Sequence, residues 1–287
     1  MPILPESASE LHRYRDVAES FGIDAERYDR ARPTYPADLV QRIVAASPGR
    51  DVLDVGIGTG ISGRLFQAAG CTVLGVEVDE RMAEFVRRAG IEVEVSKFED
   101  WDPAGRTFDA VIAAQAWHWV DPIAGAAKAA RVLRPGGVFA AFWNVHLPEP
   151  DAAEAFGEIT HRLAPELPQF YRRGMGHDRT FSAYRDKTEQ GLRAAGHAFG
   201  EPETWLFDWD TTYTRDGWLD VVPTHGGFAQ LPPERTAELL AALGAAIDEL
   251  GGSIEVHFTT VAVTAKMTAT RFPSSPVRGE PEDPSAE

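Results

Sequence analysis

Cysteine is almost missing: Cys71 is the single thiol in 287 residues, so an internal disulfide and a thiolate metal site are both excluded. Positive charge is scarce too. Lys and Arg total 28 against 44 Asp and Glu, a formal net charge of −16 at pH 7. No Lys/Arg run offsets that balance, which argues against binding driven by nucleic-acid phosphates. No apolar run approaches the roughly 20 residues of a membrane-spanning helix. The opening MPILPESASE lacks the basic-then-apolar pattern of a secretory signal. No pair of histidines has metal-ligand spacing. These absences favour a cytoplasmic protein that acts on a small molecule, without nucleic acid, membrane or metal, as a monomer or homodimer.

What is present looks globular. Apolar residues make up 44% and charged residues 25%, ordinary values for a packed domain. Short β-branched or apolar runs at 51–55, 72–78, 92–95, 108–113 and 138–143 alternate with helix-like spacing at 61–69, 81–89 and 122–133. Strands alternating with helices imply right-handed βαβ units and a parallel sheet covered on both faces. The expected fold is therefore α/β and doubly wound, a Rossmann-like, mostly parallel sheet. Such sheets bind ligands at the carboxyl ends of their strands. After Pro148 the rhythm breaks. Two late β segments, 203–213 and 254–267, lack a crossover and predict an antiparallel edge pair, with a helical lid inserted after strand five. The organisation reads as a loose segment 1–20, a ligand-binding core 21–147, a lid and substrate region 148–253 that includes strand six, a last core strand within 254–270, and a disordered tail 271–287.

The most informative stretch is VLDVGIGTG, residues 52–60, where an apolar strand meets three alternating glycines and then a helix. Glycine lets the backbone take positive φ and approach a ligand closely, and the helix start offers free N–H groups. Read from Gly58, the segment also satisfies GxGxxG, the dinucleotide fingerprint. Asp54 breaks the tie. A carboxylate in the last turn of an apolar strand repels a pyrophosphate and attracts a ligand that carries ammonium and sulfonium charge. Glu77, at the end of the next strand, suits the two hydroxyls of a ribose, which both nucleotide classes carry.

With these residues the chain resembles the class I S-adenosylmethionine-dependent methyltransferases, and within them a subgroup that includes trans-aconitate methyltransferase. The resemblance is good over residues 28–143 and loose elsewhere. It implies that Gly56, Gly58 and Gly60 hold the methionine part of the cofactor S-adenosyl-L-methionine, and that Glu77 holds its ribose. It places Val78, Met82, Phe98 and Glu99 about the adenine, although Lys97 departs from the small or acidic residue usual there. Pro135 and Gly136–Gly137 match the family's helix-turn-strand. Tyr28 and Arg32, in YDRARPTYP, would lie near the donor's carboxylate, or else belong to a Pro-punctuated packing loop. Gln115, in AQAWHWVD, would meet the methionine amine. Trp117 and Trp119 would wall an acceptor pocket, and Asp121 before Pro122 reads as a helix cap.

Methyl transfer from a sulfonium is an in-line displacement that needs alignment, exclusion of water and, for a poor nucleophile, a base. His118 is the first candidate base and His225 the second; His177 is a third histidine within reach of the pocket. A lid rich in aromatics, Phe170, Tyr171, Phe181, Tyr184, Trp205, Phe207, Trp209, Trp218 and Phe228, lines a pocket or forms core. The expected activity is O-methylation of a carboxylate or hydroxyl on a small organic acceptor. A methyltransferase-fold protein that binds the cofactor without transfer stays open as an alternative, and so does an NAD-dependent oxidoreductase.

Overall fold

A computed structural model describes residues 21–167, 178–225, 228 and 231–268. The expected loose segment 1–20, the tail from 271, His177, Phe170 and Tyr171 lie outside the described residues. The elements in chain order are α1 (Ala25–Ala31), α2 (Ala37–Ala46), β1 (Asp51–Val55), α3 (Ile61–Ala68), β2 (Thr72–Glu77), α4 (Glu80–Arg88), β3 (Glu92–Val95), β4 (Phe108–Ala114), α5 (Pro122–Val132), β5 (Leu133–Pro148), α6 (Pro150–Leu163), α7 (Asp178–Ala194), β6 (Glu203–Thr214), α8 (Arg215–Val221), α9 (Pro233–Glu249) and β7 (Ser253–Lys266).

Seven strands form one sheet in the order β3-β2-β1-β4-β5-β7-β6. The first five are parallel; β7 runs antiparallel to both β5 and β6, so the late edge pair is as expected. Side chains alternate across the sheet. Leu53, Val111, Phe139 and Trp143 join a core with α5 and α7, whereas Val52, Ile112, Val138 and Phe142 join the core under α2 and α3.

Two boundaries differ from the sequence reading. Strand five was expected over 138–143 but spans 16 residues, because β7 supplies a partner along its whole outer half, to Pro148↔Val256. Helix α5 stops at Val132, one residue short of the expected 122–133. The proline forces the residue before it out of helical geometry, and Leu133 is already extended at φ −77, ψ 137.

The length of β5 shapes everything above the sheet. Its neighbour β4 ends at Ala114 opposite Phe142, and β5 continues six residues further, to Pro148. At about 3.3 Å per residue that extension stands roughly 20 Å proud of the loops that follow β1 and β4. The inserted helices divide around it. Helix α7 packs back on α5, with Phe181 and Tyr184 against Trp143. Helices α6 and α9, with Trp218 of α8 and Phe258 of β7, form a third core of their own. Most of the described lid aromatics are therefore packing groups: Phe181, Trp205, Trp218 and Phe228 are buried. Helix α1 is tied to both parts, through Asp29 to Arg64 of α3 at 2.6 Å and through Arg27 and Arg30 to Asp220 of α8 at 2.8 and 2.9 Å.

Candidate functional site

The first βα turn is built by backbone conformation. Gly56, Gly58 and Gly60 all have positive φ, at 67, 58 and 85°, a region costly for residues with a Cβ. At Gly56 an added Cβ would also lie 2.5 Å from Cβ of Ala116. The turn is thus pressed between β1 and the loop after β4.

Beneath it Asp54 is fully buried. Ser62 Oγ donates to its Oδ2 at 2.6 Å, while Oδ1 has no partner among the described residues. Burial pushes the Asp54 carboxyl up to about 7; the Ser62 bond opposes that, and the neighbouring Glu77 adds to it. Thr59 Oγ1, in the same turn, is also buried without a partner.

Glu77 is held by three backbone donors: Gly58 N at 2.8 Å on Oε2, and Val78 N at 2.8 Å and Asp79 N at 3.0 Å on Oε1. Burial raises its carboxyl, and those three bonds counter the rise. Met82, buried, sits beside Gly58, where an added Cβ would meet its Sδ at 3.7 Å; Val78 is half-buried.

One adenine-side assignment needs correction, and the other residue has a structural partner as well. Phe98 is buried in the core against Trp101 and Trp117, with ring centroids 6.4 and 5.9 Å away. Glu99 Oε1 accepts the N–H of Asp121 at 2.7 Å and so secures the turn after β4.

That turn is strained at its start. Gln115 has φ 53, in the left-handed region that costs a non-glycine residue about 1–2 kcal/mol. Its N–H donates to Phe142 O at 2.8 Å, and its Nε2 to Asn144 O at 3.3 Å. Trp117 is a further correction. It is 2% exposed, 4.6 Å from Phe139 in a T-shaped contact, and anchors the turn in the core rather than walling a pocket. Trp119 is half-buried beside His118, their ring centroids 4.8 Å apart. Asp121 caps α5, as expected, accepting from Ile123 N and Ala124 N at 2.9 Å.

His118 has a partner of its own. Trp143 Nε1 donates to its Nδ1 at 3.1 Å, and an indole nitrogen can only donate. In the neutral ring that bond occupies the lone pair on Nδ1 and puts the proton on Nε2. Tyr184 stacks on it at 4.7 Å and 15°. Burial, with Lys187 and Arg32 nearby, holds its pKa down at about 3.

Arg32 ends α1, with its guanidinium 5.1 Å from the Tyr28 ring. Among the described residues it has no ion pair, yet its charge acts on His118, His225, Tyr35 and Tyr213. It is the shared positive neighbour of those four side chains.

Four groups were not legible beforehand. Asn144 Nδ2 donates to Thr34 O at 2.9 Å, and its Oδ1 accepts from Thr260 Oγ1 at 2.6 Å. Thr260 accepts in turn from Trp209 Nε1 at 3.0 Å, so the segment that carries Arg32 is pinned across β5, β7 and β6. His146, two residues further along β5, stacks on His225 at 5.3 Å and 30°. All these positions acquire meaning only from the outer half of β5.

A family model described as a methyltransferase domain matches residues 53–141. Uncharacterized methyltransferases of Mycobacterium bovis and Mycobacterium tuberculosis are 38% identical over 152 residues, 52% of this chain and 61% of theirs. The chain thus spans about six tenths of the length of these relatives. A demethylmenaquinone methyltransferase of Tropheryma whipplei is 32% identical over 134 residues, 42% of this chain and 56% of that one. Among solved structures, a type II methyltransferase from Anaeromyxobacter dehalogenans superposes with a TM-score of 0.59 at 25% identity, covering 83% of this chain and 99% of that one. The turn between Asp54 and Glu77, the strand order and these likenesses converge: residues 53–141 match a methyltransferase domain, and the chain is similar to S-adenosylmethionine-dependent methyltransferases over that core.

Proposed function

We propose that this chain transfers a methyl group from S-adenosyl-L-methionine to oxygen, as a carboxylate or hydroxyl, of a small organic acceptor. The observation that carries the donor half is the orphaned, fully buried Oδ1 of Asp54 under a glycine turn that tolerates no Cβ at Gly56. A lone buried carboxylate oxygen costs several kcal/mol unless something satisfies it, and a cation does so best. The residues fit the donor. Asp54 and Gln115 would face its ammonium, Arg32 with Tyr28 its carboxylate, Glu77 its ribose, and Val78 with Met82 the base. The donor supplies an electrophilic methyl on a sulfonium, a strong leaving group.

The chain's own residues then have three tasks. The turn and Glu77 fix the donor's position. Trp119 and the 218–225 segment shelter the reacting centre from water. The neighbourhood of Arg32 favours an acceptor that bears or develops negative charge.

Calorimetry with S-adenosylhomocysteine and with NAD tests the donor half. Uptake of the first and not the second is expected; the reverse result would leave the dinucleotide reading standing. Labelled methyl transfer to pooled acceptors tests the catalytic half, and its absence in a chain that binds the donor product would favour a binding protein without transfer.

A further inference from the structure

Helix α1 holds Tyr28, and Arg32 caps its end, yet the helix has no apolar anchor of its own. It is seven residues long, AERYDRA, and none of them is buried. A helix that short is marginal in water by itself, and one without a buried stripe gains little from packing. Its position therefore rests on polar bonds, and these reach two different parts of the molecule.

On one side stands the lid. Asp220 of α8 accepts from Arg27 Nε at 2.8 Å and, as a fork, from Arg30 Nε and Nη2 at 2.9 and 3.1 Å. The Arg30 guanidinium foremost, with that of Arg27, holds the Asp220 carboxyl below its ordinary range. A cleft of about 500 Å³, lined by Arg27, Asp216, Gly217, Leu219, Asp220 and Leu240, runs beside this joint, so charge rather than close packing joins it. On the other side stands the glycine turn. Arg64, in the first turn of α3, donates from Nη2 to Asp29 Oδ1 at 2.6 Å and from Nη1 to the Thr59 carbonyl at 2.8 Å. One guanidinium thus grips both α1 and the backbone between Gly58 and Gly60. At about 100° per residue, Tyr28 falls between the side bound to Asp220 and the side bound to Arg64. The Arg32 guanidinium lies 5.1 Å from the Tyr28 ring, and the buried Tyr35 hydroxyl feels both Arg32 and Asp54.

We infer that α1 is a polar strap coupling the lid to the donor turn, with Asp220 and Arg64 as the positioning residues on its two sides. Neither touches the donor as placed above. Each fixes where Tyr28 and Arg32 stand relative to the turn. The path runs from Asp220 through Arg27 and Arg30 into α1, then through Asp29 and Arg64 to the Thr59 carbonyl. An exposed ion pair alone is worth little, but here a forked pair and two shared groups form one network. The inference rests on the donor placement above and adds a dependence on the lid: a shift of α8 loosens the grip on the donor.

Hydrogen exchange on the full, ligand-free chain tests the coupling without any ligand. Asp220→Arg sets a like charge against Arg27 and Arg30. It is expected to speed exchange at 25–32 and also at 57–64, across the strap, while β4 and β5 keep their protection. Reversing the partners as well, in Arg27→Asp/Arg30→Asp/Asp220→Arg, is expected to restore slow exchange in both segments, which a merely structural role for Asp220 would not do. Asp220→Asn, milder and of the same shape, is expected to change both segments in the same direction but less. Calorimetry with S-adenosylhomocysteine then reads the consequence. Asp220→Arg is expected to weaken binding roughly tenfold, and the triple variant to recover most of it. Arg64→Met is expected to weaken binding similarly, and the reversed charges at 27, 30 and 220 not to rescue it. Unchanged exchange at 57–64 in both Asp220 variants, no restoration in the triple variant, or unchanged affinity in Asp220→Arg overturns the inference. Failure of the unaltered chain to bind S-adenosylhomocysteine would instead sink the donor placement, and the exchange pattern would still decide whether α1 couples lid and turn.

Discussion

Asp54 shows what a single residue can tell. Its value to donor binding and its cost to the fold have one origin, a carboxylate placed where only a cation would repay its desolvation. The group's pKa rises from 3.8 to about 7 on burial. A raised acid favours the folded state in its protonated form, so its contribution is complete below the unfolded value and is lost as pH climbs through 7. Asp54→Asn removes that loss. In the ligand-free chain it is expected to raise stability at pH 8 by roughly 2–4 kcal/mol and to make no difference near pH 4, as read from urea melts at both pH values. The same variant is expected to bind S-adenosylhomocysteine at least tenfold more weakly by calorimetry. Unchanged stability at pH 8 would mean the carboxylate is satisfied in a way the folded chain does not show. Asp54 and Glu77 were readable from sequence because each sits at a fixed offset from a strand end. Phe98 and Trp117 were misjudged for the opposite reason: whether an aromatic faces core or cavity depends on partners such as Phe139, distant in sequence.

At the scale of elements, the glycine turn and β5 carry different lessons. Gly56 combines φ 67 with a blocked Cβ position, whereas Gly70, at φ 82, has nothing within 4 Å. Alanine is expected to cost about 1–2 kcal/mol at either site from backbone strain. Only Gly56→Ala is expected also to weaken donor binding, since its Cβ must push the loop holding Ala116; matched melts and calorimetry of both variants separate strain from site damage. The alternation of strands with helices made β1 to β4 legible, because periodicity and glycine or proline punctuation are local. The outer half of β5 was not, since nothing in HLP announces a strand; its pairing with β7 lies more than a hundred residues away. Asn144, at the base of that extension, holds Thr34 through Nδ2 and Thr260 through Oδ1. Asn144→Ala takes this partner from the Thr34 carbonyl and from the buried Thr260 hydroxyl. It is expected to destabilise the chain by about 1–3 kcal/mol and to weaken donor binding through the freed Arg32 segment, while a Thr260→Val variant, which spares the Thr34 bond, is expected to keep most of that binding.

The molecule as a whole opposes two kinds of buried titrating group. His118, held at about 3, and His225, also depressed, stabilise the fold fully above the unfolded value of 6.5 and lose that contribution as pH falls. Asp54 works in the other sense: its penalty grows as pH rises from 3.8 to 7. Over the range from pH 4 to 6.5 the histidines' gain offsets the aspartate's loss, and above about 7 neither kind of group is still titrating. The ligand-free chain is thus expected to keep a nearly level stability from about pH 7 upward. His118→Gln should weaken the gain in stability between pH 4 and 6.5, and Asp54→Asn should steepen it. Binding the donor product is expected to lift the Asp54 penalty, because the ammonium prefers Asp54 ionised and so offsets the desolvation cost that destabilised the empty fold. The rise in Tm given by saturating S-adenosylhomocysteine is therefore expected to be several degrees larger at pH 8 than at pH 5.5. The ligand's own groups do not supply that difference, since its amine stays protonated and its carboxylate ionised across the interval. An equal rise at both pH values would mean that the buried carboxylate and the bound cation do not meet.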